Sequence, residues 1–164
     1  MIVRVLAAAV ALAVVLPALF FGGVLAVDIL AGLVGLVCVH EYRNMALPDA
    51  PRLSVFWLFF SSSLVYVSAA YAPQYLGVMA GLVTIGSLTI ATLDPGEELS
   101  NGPALAGRLL LGTMWIGLLL SSIPLLRRFD DGLAWLCLVL VVTWSADTGA
   151  YFAGRSFGRN KLYE

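Results

Sequence analysis

Charge is scarce in this chain. Asp, Glu, Lys and Arg together supply 12% of the 164 residues, where a soluble domain carries about 25%, so the sequence cannot cover a compact body with a water-facing polar surface. Net charge is -1, with neither a basic tract nor an acidic tail. This argues against nucleic-acid binding and against a disordered interaction arm. Cysteine is nearly absent as well. Cys38 and Cys137 stand in apolar runs without a CxxC or Cys/His spacing, so they read as packing residues rather than metal or redox centres, and they do not fix a redox compartment.

What the chain has instead is apolar length. Hydrophobic residues make up 61% of the sequence and mean hydropathy is +0.97. A helix crosses the hydrocarbon core of a bilayer with about 20 residues, and interruptions by charge and by Gly/Pro clusters divide the chain into six runs of that kind. They are Ile2 to Phe21, Val24 to His40, Val55 to Tyr71, Tyr75 to Leu93, Leu105 to Leu126 and Leu133 to Ala153. The expected fold is therefore all-α, a polytopic transmembrane helical bundle of about six spans with no soluble domain. The first run also admits a signal-peptide reading, since Arg4 precedes it. Its apolar stretch is longer than the usual h-region of about 7 to 15 residues, and no clear A-x-A site follows, which favours a span.

Lys and Arg collect on the cytoplasmic side of short loops. With the N-terminus inside, Arg4, Arg43, Arg52, Arg108, Arg155, Arg159 and Lys161 face the cytoplasm and only Arg127 and Arg128 face out. The expected location is a cytoplasmic membrane crossed several times, with the C-terminal basic segment in the cytoplasm.

Polar groups inside these runs need a reason. Asp28 lies near the start of the second run, where an interfacial or helix-packing role is enough. His40, Glu41 and Arg43 close the same run, and one His-Glu pair is weak evidence for metal or acid/base chemistry because adjacent helical residues point in different directions. Asp147 is costlier. It falls about 21 Å along the sixth span and about 9 Å from its cytoplasmic end, where an ionised carboxylate costs up to about 3 kcal/mol unless it meets protein, a cation or water. Ser145, Thr148 and Tyr151 are close by, and Asp147, Tyr151 and Arg155 share one stripe at spacings of four and eight.

Two readings fit that stripe. One is an intrahelical polar ladder that fixes packing, aided by the Gly154/Gly158 spacing that suits close helix contact. The other is a cavity open to the cytoplasm, with Asp147 available to a metal ion and Arg155, Arg159 and Lys161 available to phosphates. A Walker loop is excluded, because Gly154, Gly158 and Lys161 have the wrong spacing and Leu162 stands where a hydroxyl is needed.

The segment Trp144-Ser145-Ala146-Asp147-Thr148-Gly149-Ala150-Tyr151-Phe152-Ala153-Gly154-Arg155, continuing through Gly158-Arg159-Asn160-Lys161-Leu162, resembles the phosphatidate cytidylyltransferases. These are the CDP-diacylglycerol synthases of bacteria. His40-Glu41-Tyr42 is a weaker likeness to an acidic and aromatic feature of the same family. The resemblance implies a bacterial inner-membrane enzyme of phospholipid biosynthesis that transfers a cytidylyl group from CTP to phosphatidic acid, releasing pyrophosphate and requiring Mg2+. It implies Asp147 as catalytic group and metal ligand, and Ser145, Tyr151, Arg155, Arg159 and Lys161 as substrate-binding groups. Membrane lipids are the expected surroundings, and a homodimer is compatible with such a bundle.

The later family signature, with its K-D and H-G-G-x-x-D-R-x-D segments, has no counterpart in residues 1–164. The expectation is accordingly the N-terminal transmembrane part of a cytidylyltransferase, a truncated copy inactive alone. The alternatives are a non-catalytic membrane scaffold or partner subunit, a related CTP-dependent polyprenol or phytol kinase, and, more distantly, a small transporter using Asp147.

Overall fold

The computed structural model describes residues 2–94 and 99–158. All the regular structure among them is helical: α1 (Ile2–Phe20), α2 (Gly23–Ala46), α3 (Arg52–Tyr71), α4 (Leu76–Leu93), α5 (Gly102–Gly112), α6 (Leu119–Arg127) and α7 (Gly132–Phe157). A π-helical segment, Thr113–Leu118, joins α5 to α6 without a break, and a 3-10 turn, Pro73–Tyr75, leads into α4. Five stretches are long and apolar enough to cross a membrane: Gly23–Ala46, Arg52–Tyr71, Pro73–Leu93, Gly102–Arg127 and Gly132–Phe157. With α1 ahead of them, this is the all-α, polytopic architecture the sequence predicts.

The helix ends follow local chemistry. Between α1 and α2 the chain turns at Gly22-Gly23, and Gly23 takes φ +66, a left-handed conformation that disfavours any residue with a Cβ. α2 runs on past His40, its expected end, because nothing stops it before Pro48. Leu47 donates back to the Arg43 carbonyl at 2.9 Å and closes it. Pro51 forms the cap of α3, which starts at Arg52, three residues earlier than expected. α7 likewise outlasts its predicted end by one turn, and Gly158 donates to the Gly154 carbonyl at 3.0 Å.

Two compact units divide the chain, Met1–Leu125 and Leu126–Glu164. Within the first, α1 packs on α2, α2 on α3, α3 on α4 and on the π segment, and α4 on α5. Its core gathers where α2 and α4 end and α3 and α5 begin, around Val39, Leu58, Ala91, Leu105 and Leu109. The distribution of polarity is that of a lipid-facing body. Leu25, Phe56 and Ile85 are each more than 60% exposed, while Ser54, Ser61, Ser87 and Thr113 are fully buried. In water that pattern would expose a large apolar surface. In lipid it is expected, because small and hydroxylated residues let helices approach closely.

Close approach is visible at three places. Trp57 lies over Gly86 and donates from Nε1 to Ser87 Oγ at 2.9 Å. Ser61 and Thr113 share a buried hydroxyl–hydroxyl bond of 2.7 Å. Gly117, in the π segment, sits against the Ser62 carbonyl. The second unit holds the turn from Leu126 to Gly132 and then α7. In that turn Phe129 donates to the Leu126 carbonyl and Gly132 to that of Phe129.

A polar stripe on α7 and polar contacts at the end of α2

α7 is one continuous helix of 26 residues, so Asp147, Tyr151 and Arg155 do fall on one stripe, one turn apart. Arg155 Nη1 donates to the Tyr151 hydroxyl at 3.3 Å, and the Tyr151 ring meets Phe152 edge-on at 5.6 Å. The lower half of the expected ladder is therefore formed. Asp147 is not joined to it: among the described residues no hydrogen bond links the carboxylate to Tyr151. Ser145 is on the same helix, two residues before Asp147. Arg159 and Lys161 lie outside the described residues.

No group of three or more His, Cys, Asp or Glu side chains suited to a metal ion exists among the described residues. Asp147 is the one carboxylate between residues 132 and 158. Mg2+ commonly takes one or two protein carboxylates and completes its shell with substrate phosphates and water. Asp147 fits one such ligand position and does not make a site by itself.

Further polar contacts of the first unit gather near the two ends of α2. Asp28, assigned from sequence to an interfacial or packing role, is only 6% exposed. It accepts the Tyr71 hydroxyl at Oδ2, and its main-chain carbonyl accepts the Tyr66 hydroxyl at 2.8 Å. The carboxylate thus fastens α2 to α3. At the other end of α2, Arg43 Nη1 donates to Asn44 Oδ1 at 2.9 Å, and Asn44 Nδ2 pairs with His40 Nε2 at 3.1 Å. Tyr42 donates to the Arg108 carbonyl at 2.8 Å, and Arg108 Nη1 reaches the Ala46 carbonyl at 3.4 Å. His40 and Glu41 stand out in the sequence here and Arg108 does not, because its place beside α2 is set by packing between residues more than sixty positions apart.

Comparison with known proteins decides the family. The chain matches the Cytidylyltransferase family over residues 2–164. It belongs to that family. The phosphatidate cytidylyltransferase of Staphylococcus haemolyticus is 29% identical over 166 aligned positions, which cover 98% of this chain and 61% of that protein. The phosphatidate cytidylyltransferase of Bacillus subtilis is 38% identical over 58 residues, 35% of this chain and 22% of the relative. That of Pseudomonas aeruginosa is 39% identical over 102 residues, 61% and 38% of the two chains. The chain thus spans about 61% of the length of the staphylococcal relative. No solved structure matches it.

Proposed function

We propose that this cytidylyltransferase-family protein acts in phospholipid biosynthesis, transferring a cytidylyl group from CTP to phosphatidic acid to give CDP-diacylglycerol and pyrophosphate. The observation that carries the reading is the α7 stripe: a carboxylate deep in an apolar helix, followed one and two turns later by a phenol and a guanidinium that are bonded to each other. Support comes also from the relatives named phosphatidate cytidylyltransferase, one of which aligns with 98% of the chain.

In this reaction an oxygen of the lipid phosphate attacks the α-phosphorus of CTP. The new bond joins lipid phosphate to cytidylyl phosphorus, and the bond to the β-phosphate breaks to release pyrophosphate. Such transfers depend on positioning and on neutralising charge spread over phosphate oxygens. Arg155 suits that task, since its fork matches phosphate geometry and Tyr151 holds one arm of it. Ser145 offers a hydroxyl two residues before Asp147, and Arg159 and Lys161 add cationic donors beyond α7. A bound Mg2+ supplies further neutralisation of phosphate charge, and Asp147 is the residue of α7 that would hold it.

A lipid acceptor and a water-soluble nucleotide meet only at a membrane face, and the arginine and lysine distribution favours the cytoplasmic one. The bacterial inner membrane is the location this reading requires.

The test is CTP-dependent formation of CDP-diacylglycerol in membranes from cells expressing the protein from its gene, with labelled CTP and added phosphatidate. Labelled lipid should form and should be lost in Asp147→Asn. Formation that is unchanged by Asp147→Asn overturns the site, and label appearing as a phosphorylated polyprenol or phytol overturns the acceptor.

A further inference from the structure

On the first unit, one stripe of α2 carries an apolar groove at its middle and an arginine at its end. The groove has a volume of about 280 Å3 and is lined by Gly32, Leu36 and Val39 of α2, Ser62 of α3, and Ile116 and Gly117 of the π segment. At 3.6 residues per turn, Arg43 continues that stripe. It follows Leu36 by seven residues and Val39 by four, so it stands about 6 Å beyond the Val39 end of the groove. Arg108 of α5 reaches the same end of α2, with Nη1 on the Ala46 carbonyl three residues beyond Arg43.

Two buried donors, one on this stripe and one across the groove from it, lack an acceptor among the described residues. One is Arg43 Nε, although Nη1 of the same side chain is bonded to Asn44. The other is the Ser62 hydroxyl, in a residue only 3% exposed that lines the groove. Buried donors without a partner are rare and call for an explanation. A purely structural role for the two arginines, offsetting the partial negative charge at the end of α2, accounts for neither donor and gives the groove no purpose.

We propose that this stripe binds an anionic glycerophospholipid, with its phosphate held by Arg43 and Arg108, an acyl ester oxygen within reach of Ser62, and one acyl chain laid along the groove towards Ile29. Charge complementarity commits the site to that occupant. An arginine fork suits a phosphate, and an apolar groove suits a hydrocarbon chain. The groove between Ile29 and Val39 runs over ten residues of α2, or about 15 Å, which is the scale of an acyl chain rather than of a headgroup. All of these residues belong to the first unit.

The experiment is native mass spectrometry of the purified protein with phosphatidylglycerol and phosphatidylcholine of matched chains. Phosphatidylglycerol carries a diester and has no terminal phosphate to accept a cytidylyl group, so its retention is not substrate turnover. The wild-type protein should retain it in preference to phosphatidylcholine, and Arg43→Gln should lower that retention about tenfold, the loss expected for a charge-assisted contact. Arg43→Lys, which keeps the charge and lacks Nε, should retain an intermediate amount. Gly32→Leu, which fills the groove from α2, should lower retention while the melting temperature stays near that of the wild type. Equal retention of both lipids by the wild type, or wild-type retention by a folded Arg43→Gln, overturns the headgroup site. Wild-type retention by Gly32→Leu overturns the tail placement. Displacement of phosphatidylglycerol by added pyrophosphate in the wild type but not in Arg43→Gln assigns Arg43 to soluble phosphates and overturns the proposal.

Discussion

The ring of Tyr42 on α2 fills the space beside Gly112 on α5: a Cβ at residue 112 would lie 2.4 Å from the ring's Cε1. The ring has little freedom to withdraw, because its hydroxyl is donated to the Arg108 carbonyl one turn away on α5. Gly112→Ala should therefore force α2 and α5 apart and cost about 1–3 kcal/mol, the usual range for overpacking. Tyr42→Phe removes only the hydrogen bond and should cost about 1 kcal/mol. Thermal unfolding of the detergent-solubilised protein measures both. A melting temperature for Gly112→Ala equal to that of the wild type would show that the two helices are not in contact there.

A second contact makes a sharper claim because neither partner is near water. Ser61 of α3 and Thr113 of the π segment are fully buried and bonded to each other at 2.7 Å. Removing the Ser61 hydroxyl orphans that of Thr113, and removing the Thr113 hydroxyl leaves Ser61 only its longer 3.3 Å bond to the Leu58 carbonyl, whereas removing both replaces a polar pair by an apolar one. Ser61→Ala and Thr113→Val should each destabilise by about 1 kcal/mol, within the range known for interhelical hydrogen bonds in membranes. The double variant should be clearly more stable than the sum of the two losses predicts. Strict additivity in this double-mutant cycle would mean that the hydroxyls do not interact.

What could be read from the sequence was what is local along the chain. Apolar runs long enough to span a bilayer, and the Gly22-Gly23 turn that separates the first two, need no knowledge of neighbours. The Tyr151–Arg155 bond was equally accessible, since a spacing of four is one turn of a single helix. Partners from different helices were not. Asp28 and Tyr71 are 43 positions apart and Tyr42 and Arg108 are 66 apart. No periodicity in an apolar run says which stripe of α2 will face α3 and which will face α5. The π segment is hidden for a related reason. Thr113–Leu118 has no composition that sets it apart from an α-helical run, and its Gly117 is seated on the Ser62 carbonyl of another helix, a contact no local pattern announces.

The orientation rests on a bias of seven cationic residues against two, and it can be tested with single cysteines in a chain whose own Cys38 and Cys137 have been replaced by alanine. A cysteine at Arg128, between α6 and α7, should react with a membrane-impermeant maleimide in intact cells. A cysteine at Arg159 should react only after the membrane is opened. Labelling of Arg159→Cys in intact cells would invert the topology, and with it the placement of the α7 stripe on the side where CTP is found.

The chemistry proposed for α7 predicts unequal losses along one stripe. Asp147 is the one carboxylate of the helix, so Asp147→Asn, which keeps size and removes charge, should lower CDP-diacylglycerol formation by at least about a hundredfold, the scale of losing one electrostatic stabiliser in an active site. Arg155→Lys keeps the charge and loses both the fork and the bond to Tyr151, and it should weaken CTP or phosphatidate use about tenfold. Tyr151→Phe removes only the acceptor that holds Arg155 at 3.3 Å. Its effect should be several-fold and should disappear when Arg155 is already lysine, because the hydroxyl acts through the guanidinium. A packing ladder predicts a different order: all three substitutions would lower the melting temperature together and leave the activity of the folded fraction unchanged. Measuring rate and melting temperature on the same preparations separates the two, since only a site in contact with the reacting phosphates makes Asp147→Asn slow while leaving it as stable as the wild type.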